Sequence, residues 1–171
     1  MKKRFYLLAI LTITLVFSSF AVAQAPVLFD GTNPVVYSFQ SKPDDAIIPD
    51  SKLITPDDFA KQLQSAQPKP LILEVGPHSL FAQAHIVGAE YIGPTSGNEG
   101  KQKLRGRVQS LPKNSAIVLY CGCCPWGHCP NIHAAYQLLH SLGFTNVKAL
   151  YIADNFGTDW VNHGYPVAKG E

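Results

Sequence analysis

Two short, nearly continuous apolar runs constrain the fold of this chain more than any other feature: Leu71-Ile72-Leu73-Glu74-Val75 after Pro70, and Ala116-Ile117-Val118-Leu119-Tyr120 after Pro112-Lys113-Asn114-Ser115. A strand with one wet face alternates apolar and polar residues. These runs do not, so both of their faces must be covered, as in a parallel sheet between two layers of helices. Asn146-Val147-Lys148-Ala149-Leu150-Tyr151 reads as a third strand.

Helix signals fall between the strands. Thr55 is a capping residue, Pro56 suits the first helical position and Asp57-Asp58 the first turn, which predicts a helix to about Ser65. Ile132, Ala135, Leu139 and Leu142 recur at helical spacing ahead of Gly143, a residue suited to a left-handed C-cap. Phe156 to His163 is expected to form a last short helix closed by Gly164. Strands alternating with helices give an α/β fold with a central parallel sheet flanked by helices.

At the N-terminus, Lys2, Lys3 and Arg4 precede an unbroken apolar and small-residue run from Phe5 to Phe20, followed by Ala21-Val22-Ala23. This is the pattern of a secretory signal peptide cut after Ala23. The run has 16 residues, short of the roughly 20 that a membrane-spanning helix needs. The expected mature product is therefore soluble, free of the membrane, and periplasmic or secreted. Residues 24–50 read as an N-terminal extension with Val35-Val36-Tyr37-Ser38-Phe39 as its strand-like piece, and residues 51–171 as one domain.

Cleavage would remove three of the 14 Lys+Arg and none of the 12 Asp+Glu, changing the formal charge from +2 to 11 minus 12, or −1. A nucleic-acid partner calls for a basic face, and none is expected here. The local run Lys101, Lys103, Arg105 and Arg107 is read as a solvated face, with a patch for an anionic substrate or partner as the alternative.

All four cysteines, Cys121, Cys123, Cys124 and Cys129, lie within nine residues of the loop that leaves the second strand and enters the next helix. A disulfide framework would spread them to close long loops. A mature chain of 171 minus 23, or 148, residues buries a core without such staples. The cluster is therefore placed for chemistry or for metal. Cys121, at a strand-to-helix turn, is expected among backbone N–H groups near the positive end of a helix dipole, which favours thiolate. Cys121 and Cys124 form a C-x-x-C pair, and Cys123, Cys124 and Cys129 are candidate resolving or disulfide partners. Neighbouring Cys123 and Cys124 would close a strained ring. That leaves Cys121–Cys124 or Cys124–Cys129, and the second, which frees Cys121, is the expected resting bridge. Gly122, Trp126, Gly127 and His128 are candidate substrate contacts. Thiolates with an imidazole also suit Cu(I) or Zn, which makes Cys121, Cys124, His128 and Cys129 metal candidates, although the spacing assigns neither a metal nor a cofactor.

Val118-Leu119-Tyr120-Cys121, Ala134-Ala135, Leu142-Gly143-Phe144, Val147, Trp160 and Gly164-Tyr165-Pro166-Val167 follow one another in an order that resembles the rhodanese-like sulfurtransferases. Ile54-Thr55-Pro56, the acidic strand end at Glu74, and Ala84-His85-Ile86-Val87-Gly88-Ala89 resemble the family's opening half. The resemblance implies a three-layer rhodanese-like fold, with Cys121 as the nucleophile that carries sulfane sulfur as a persulfide. It implies a small sulfur-containing substrate or a thiol acceptor protein as partner, and a structural hydrogen bond for His85. The loop departs from the family in being longer and in lacking Arg or Lys. Rhodaneses that use thiosulfate, and phosphatases on the same scaffold, place cations there, so phosphate-ester hydrolysis is not expected and thiosulfate should be a poor donor. Pro125 and Pro130 remove two N–H donors, and Glu74 and Gly76 stand where the family commonly has Asp and Arg, which weakens that support. Two other functions stay open: a thiol-disulfide oxidoreductase using Cys121 and Cys124, and a Cu(I)- or Zn-binding module.

Overall fold

The computed structural model describes residues 48–170. The expected signal peptide, nearly all of the extension and the Val35–Phe39 run lie outside the described residues. In chain order the elements are β1 (Leu53–Ile54), α1 (Pro56–Ser65), β2 (Leu71–Glu74), α2 (His78–Gln83), β3 (His85–Ile86), β4 (Ala89–Tyr91), α3 (Asn98–Val108), β5 (Ile117–Tyr120), α4 (Pro130–Ser141), β6 (Val147–Leu150) and β7 (Val167–Ala168). The central sheet is parallel throughout, in the order β1-β6-β5-β2-β4. A small antiparallel ribbon joins β3 to β7.

The unbroken apolar runs have the burial they imply. Every residue of β5 is buried, and its side chains divide between two cores. Ile117 and Leu119 join Leu104, Val108, Ile132 and Leu139 from α3 and α4 on one face. Val118 and Tyr120 join Phe59 of α1, Phe156 and Trp160 on the other. The expected helix starts and stops are present as well. Thr55 Oγ1 accepts the Asp58 N–H at the head of α1, and Gly143 follows α4 with φ +84°.

The C-terminal segment differs from expectation. Phe156–His163 is not an α-helix but one π-helical turn, Gly157–Val161, in which the Asn162 N–H reaches the Gly157 carbonyl. Side chains occupy the N–H groups an α-helix would have left to capping: Asp159 Oδ2 accepts from Asp154 and Asn155, and Asn155 Oδ1 accepts from Thr158. The basic run lies on α3, where Arg107 makes a two-pronged ion pair with Glu90 and Lys103 pairs with Glu99. It is a solvated, partly neutralised face. Among the described residues, no helix is long and apolar enough to cross a membrane.

The topology locates the site. After β5 the chain crosses to β6 on one side, and after β2 it crosses to β4 on the other. Adjacent parallel strands whose connections part in opposite directions leave a crevice at their carboxyl ends, the usual ligand site of an open α/β sheet. Cys121 follows β5 and Val75-Gly76 follows β2 at that point.

Candidate active site

Cys121 ends the central strand and is 4% exposed; Cys129 immediately precedes α4 and is 3% exposed. Their sulfurs and that of Cys123 all lie within 4.8 Å of one another. The loop length decides which cysteine meets the helix. Because α4 begins only at Pro130, Cys129 and not Cys121 occupies its N-cap position. The Cys121 thiol beside it holds Cys129 below the ordinary thiol range, and the N–H groups of Asn131 and Ile132 act in the same direction. The charged Cys129 neighbour, then burial, push Cys121 up. Of the two sulfurs, Cys129 rather than Cys121 is the one whose anionic form these surroundings favour.

Beneath this pair lies a carboxyl group. Glu74 is 2% exposed, its Oε1 accepts the Gly76 N–H at 2.9 Å, and its Oε2 has no hydrogen-bond partner. Burial raises its pKa to about 7, against the pull of the Gly76 and Gly122 N–H groups. Gly76 makes this closeness possible, since a Cβ there would sit 2.6 Å from Glu74 Oε1 and 3.0 Å from Cys121 Sγ. The Glu74 and Gly76 pair, which looked like weakened support in the sequence, thus braces the base of the cysteine loop. Gly122 is equally constrained: a Cβ would meet Phe156 Cβ at 2.8 Å, and its carbonyl accepts the Phe156 N–H.

The middle of the loop faces outward. Cys123 Sγ is 3.2 Å from Cys121 Sγ and 2.7 Å from Cys124 Sγ, and both middle cysteines are half-buried. Their contact pushes the Cys124 thiol up to about 12. Trp126 turns down onto the fold. Its N–H bonds to the Ala153 carbonyl, and its ring packs against Tyr151 and edge-on to His133. Gly127 takes φ +83° to close the turn, and His128 is exposed, with its N–H on the Pro125 carbonyl. Of the metal candidates, only Cys121 and Cys129 belong to the convergent sulfur set, with Cys123 as its third member; Cys124 and His128 do not. Three sulfurs could hold Cu(I) and are one ligand short of the zinc tetrahedron.

A cavity of about 470 Å³ opens beside the loop at Gly122 and Cys123. Its wall is largely apolar, with Leu80, Phe156 and Val161, and Lys169 supplies a cation. Pairing of β3 with β7 carries the C-terminal tail there, and the Gly170 N–H bonds to the Ala82 carbonyl. A larger cavity of about 560 Å³, between Lys52, Tyr136, His140 and Phe144, has no cysteine in its wall.

Two residues escaped the sequence reading. Lys169 is remote in the chain, and only strand pairing reveals its place. Asn131, 6% exposed, accepts the Ser96 N–H through Oδ1, receives the Thr95 hydroxyl on its carbonyl, and points Nδ2 at Cys121 Sγ from 3.9 Å. A polar side chain on the buried face of the helix, beside Ile132 and Ala135, was the available signal. Cys129 was recognised, but not as the helix cap. His85 has the structural role expected of it, with Nδ1 on the Phe81 carbonyl and its ring stacked on Phe81.

Comparison with known proteins agrees with this architecture. The family model of the rhodanese-like domain matches residues 55–151, or 97 of the 171 residues. The Alr3790 protein from Anabaena sp. is 23% identical over 68% of this chain and 92% of its own, with a TM-score of 0.54. The BH2092 protein from Bacillus halodurans is 20% identical over 70% of this chain and 77% of its own, also with a TM-score of 0.54. A thiosulfate sulfurtransferase from Pseudomonas aeruginosa is 24% identical over 69% of this chain and 20% of its own, with a TM-score of 0.50. At these identities the structural likeness is one of fold. No curated protein matches the chain. With more than half of its length covered by the family model and a cysteine at the end of its central strand, the chain belongs to the rhodanese-like domain family.

Proposed function

We propose that this protein is an exported sulfurtransferase that carries sulfane sulfur as a persulfide on Cys121 and passes it to a thiol acceptor. The observation behind this reading is the position of Cys121 at the carboxyl end of β5, in the crevice beside β2, with the Cys129 sulfur within 4.8 Å. Of the resting pair, Cys129 is the sulfur whose anionic form is favoured. When a donor enters, the Cys121 sulfur attacks the outer sulfur of the donor persulfide, and the Cys121 proton passes to the donor's inner sulfur. The S–S bond of the donor breaks, and the donor departs as a thiol. Asn131 Nδ2, aimed at Cys121 Sγ, steadies the sulfur as it reacts, and the Glu74 carboxyl, hydrogen-bonded through Oε1 alone, lies alongside.

The apolar cavity wall and its single exposed cation favour an organic persulfide donor over a dianion such as thiosulfate. Cys123 lines this cavity and touches Cys121, so the donor approaches the buried thiol from that side. The test is sulfur transfer from glutathione persulfide to a small thiol. Cys121→Ser should abolish it, and activity retained in that variant would assign the nucleophile to another cysteine.

A further inference from the structure

A sulfur acceptor is already built into the fold. Cys129 is 3% exposed, so large external partners cannot reach it, yet its sulfur is within 4.8 Å of Cys121 Sγ. It stands at the head of α4, where the Asn131 and Ile132 N–H groups favour an anionic sulfur. We propose that Cys129 resolves the Cys121 persulfide from within, making the protein a persulfide reductase that releases hydrosulfide through a Cys121–Cys129 disulfide. This rests on persulfide loading at Cys121, as proposed above, and it replaces the Cys124–Cys129 bridge expected from the sequence.

The step balances as Cys121–S–SH plus ⁻S–Cys129 giving Cys121–S–S–Cys129 plus HS⁻. The Cys129 thiolate attacks Cys121 Sγ, and the outer sulfur keeps its proton. A bond forms between the two cysteine sulfurs, while the bond from Cys121 Sγ to the outer sulfur breaks. Its electron pair leaves with the hydrosulfide. A dithiol reductant returns two electrons and two protons to the bridge, becomes a disulfide itself, and restores both thiols.

The geometry selects Cys129 over the other two. A disulfide between neighbouring Cys123 and Cys124 closes a strained ring and leaves Cys121 untouched. Cys123 is 3.2 Å from Cys121, but only one residue separates them, so a bridge closes a tight ring. A Cys121–Cys129 bridge instead closes a loop whose ends are fixed by β5 and α4. Side-chain rotation can bring two sulfurs from within 4.8 Å to the bonding distance of about 2.05 Å.

The test is a single turnover of the full chain, reduced and oxygen-free, with one equivalent of glutathione persulfide and no other thiol. Wild type should release one equivalent of hydrosulfide and yield a Cys121–Cys129 disulfide on peptide mapping. Cys129→Ser should cut the hydrosulfide burst at least tenfold and keep the extra sulfur on Cys121. If both proteins hold the extra sulfur without a burst, internal resolution is overturned while loading stands. If neither takes up sulfur, loading itself fails and the inference falls with it. A bridge mapped in wild type to Cys121–Cys123 or Cys124–Cys129 overturns the assignment to Cys129, even if the serine variant does not fold.

Discussion

Cys121 and Cys129, at the two ends of the loop, are buried and held by β5 and α4, whereas Cys123 and Cys124 between them are half-buried and held by turns. The same residue type therefore meets two environments within nine positions. At the ends, regular structure sets the distance between sulfurs, supplies N–H groups from a helix start, and keeps water away. In the middle, the Cys123 thiol borders a cavity and meets whatever enters it. Chemistry that requires one sulfur to carry a charge or a bond belongs at the ends, and exchange with the outside belongs in the middle.

The strongest way to break this contrast is to treat the two regions alike. Cys121→Ser should remove all sulfur loading, whereas Cys124→Ser should leave it within about threefold, or less than about 0.7 kcal/mol; mass spectrometry of the loaded proteins reads both. Equal losses would erase the distinction between ends and middle.

The base of the loop gives the next largest effect. Burial raises the Glu74 carboxyl from 4.5 to about 7. Between those values the native state holds a proton that the unfolded chain has lost, so Glu74 makes stability fall as pH rises through that window. Glu74→Gln should flatten the slope and raise stability above pH 7, by at most about 3 kcal/mol. Denaturant unfolding across the pH range measures it. A wild-type profile without that slope would mean that the carboxylate is charged throughout and better satisfied than its orphaned Oε2 shows.

Gly122→Ala sharpens the contrast from the packing side. Its Cβ would meet Phe156 Cβ at 2.8 Å, an overpacking that costs about 1–3 kcal/mol and displaces the loop where it leaves Cys121. A lowered melting temperature with reduced sulfur loading is expected. Lys169→Gln should have the smallest effect, since an exposed ammonium contributes less than about 1 kcal/mol. The KM for thiosulfate should rise up to about fivefold, with turnover of glutathione persulfide unchanged.

How much of this was legible in the chain depended on whether the signal was local. β2 and β5 stood out because burial on both faces removes polar alternation, and α1 because Thr55, Pro56 and Asp58 each act within one turn. α3 did not stand out. Its run of cations and glycines hides the apolar Leu104 and Val108, and Gly100 is required because a Cβ there would come within 2.3 Å of the Pro94 carbonyl oxygen. The final segment, Gly157–Val161, is a π turn, which its local residues did not mark. At the site, the importance of Cys121 could be read from the strand before it. The lowered thiol of Cys129 could not, because it depends on the nearness of the Cys121 thiol and on where α4 begins, and the place of Lys169 depends on the pairing of β3 with β7.

The central claim, that Cys121 alone carries the transferred sulfur, is tested most directly in a variant that retains only that thiol, through Cys123→Ser, Cys124→Ser and Cys129→Ser together. Exposed to glutathione persulfide without oxygen, alkylated and digested, it should gain one sulfur, mapped to Cys121. A folded variant that takes up none, under conditions where wild type releases hydrosulfide or gains sulfur, would contradict the account.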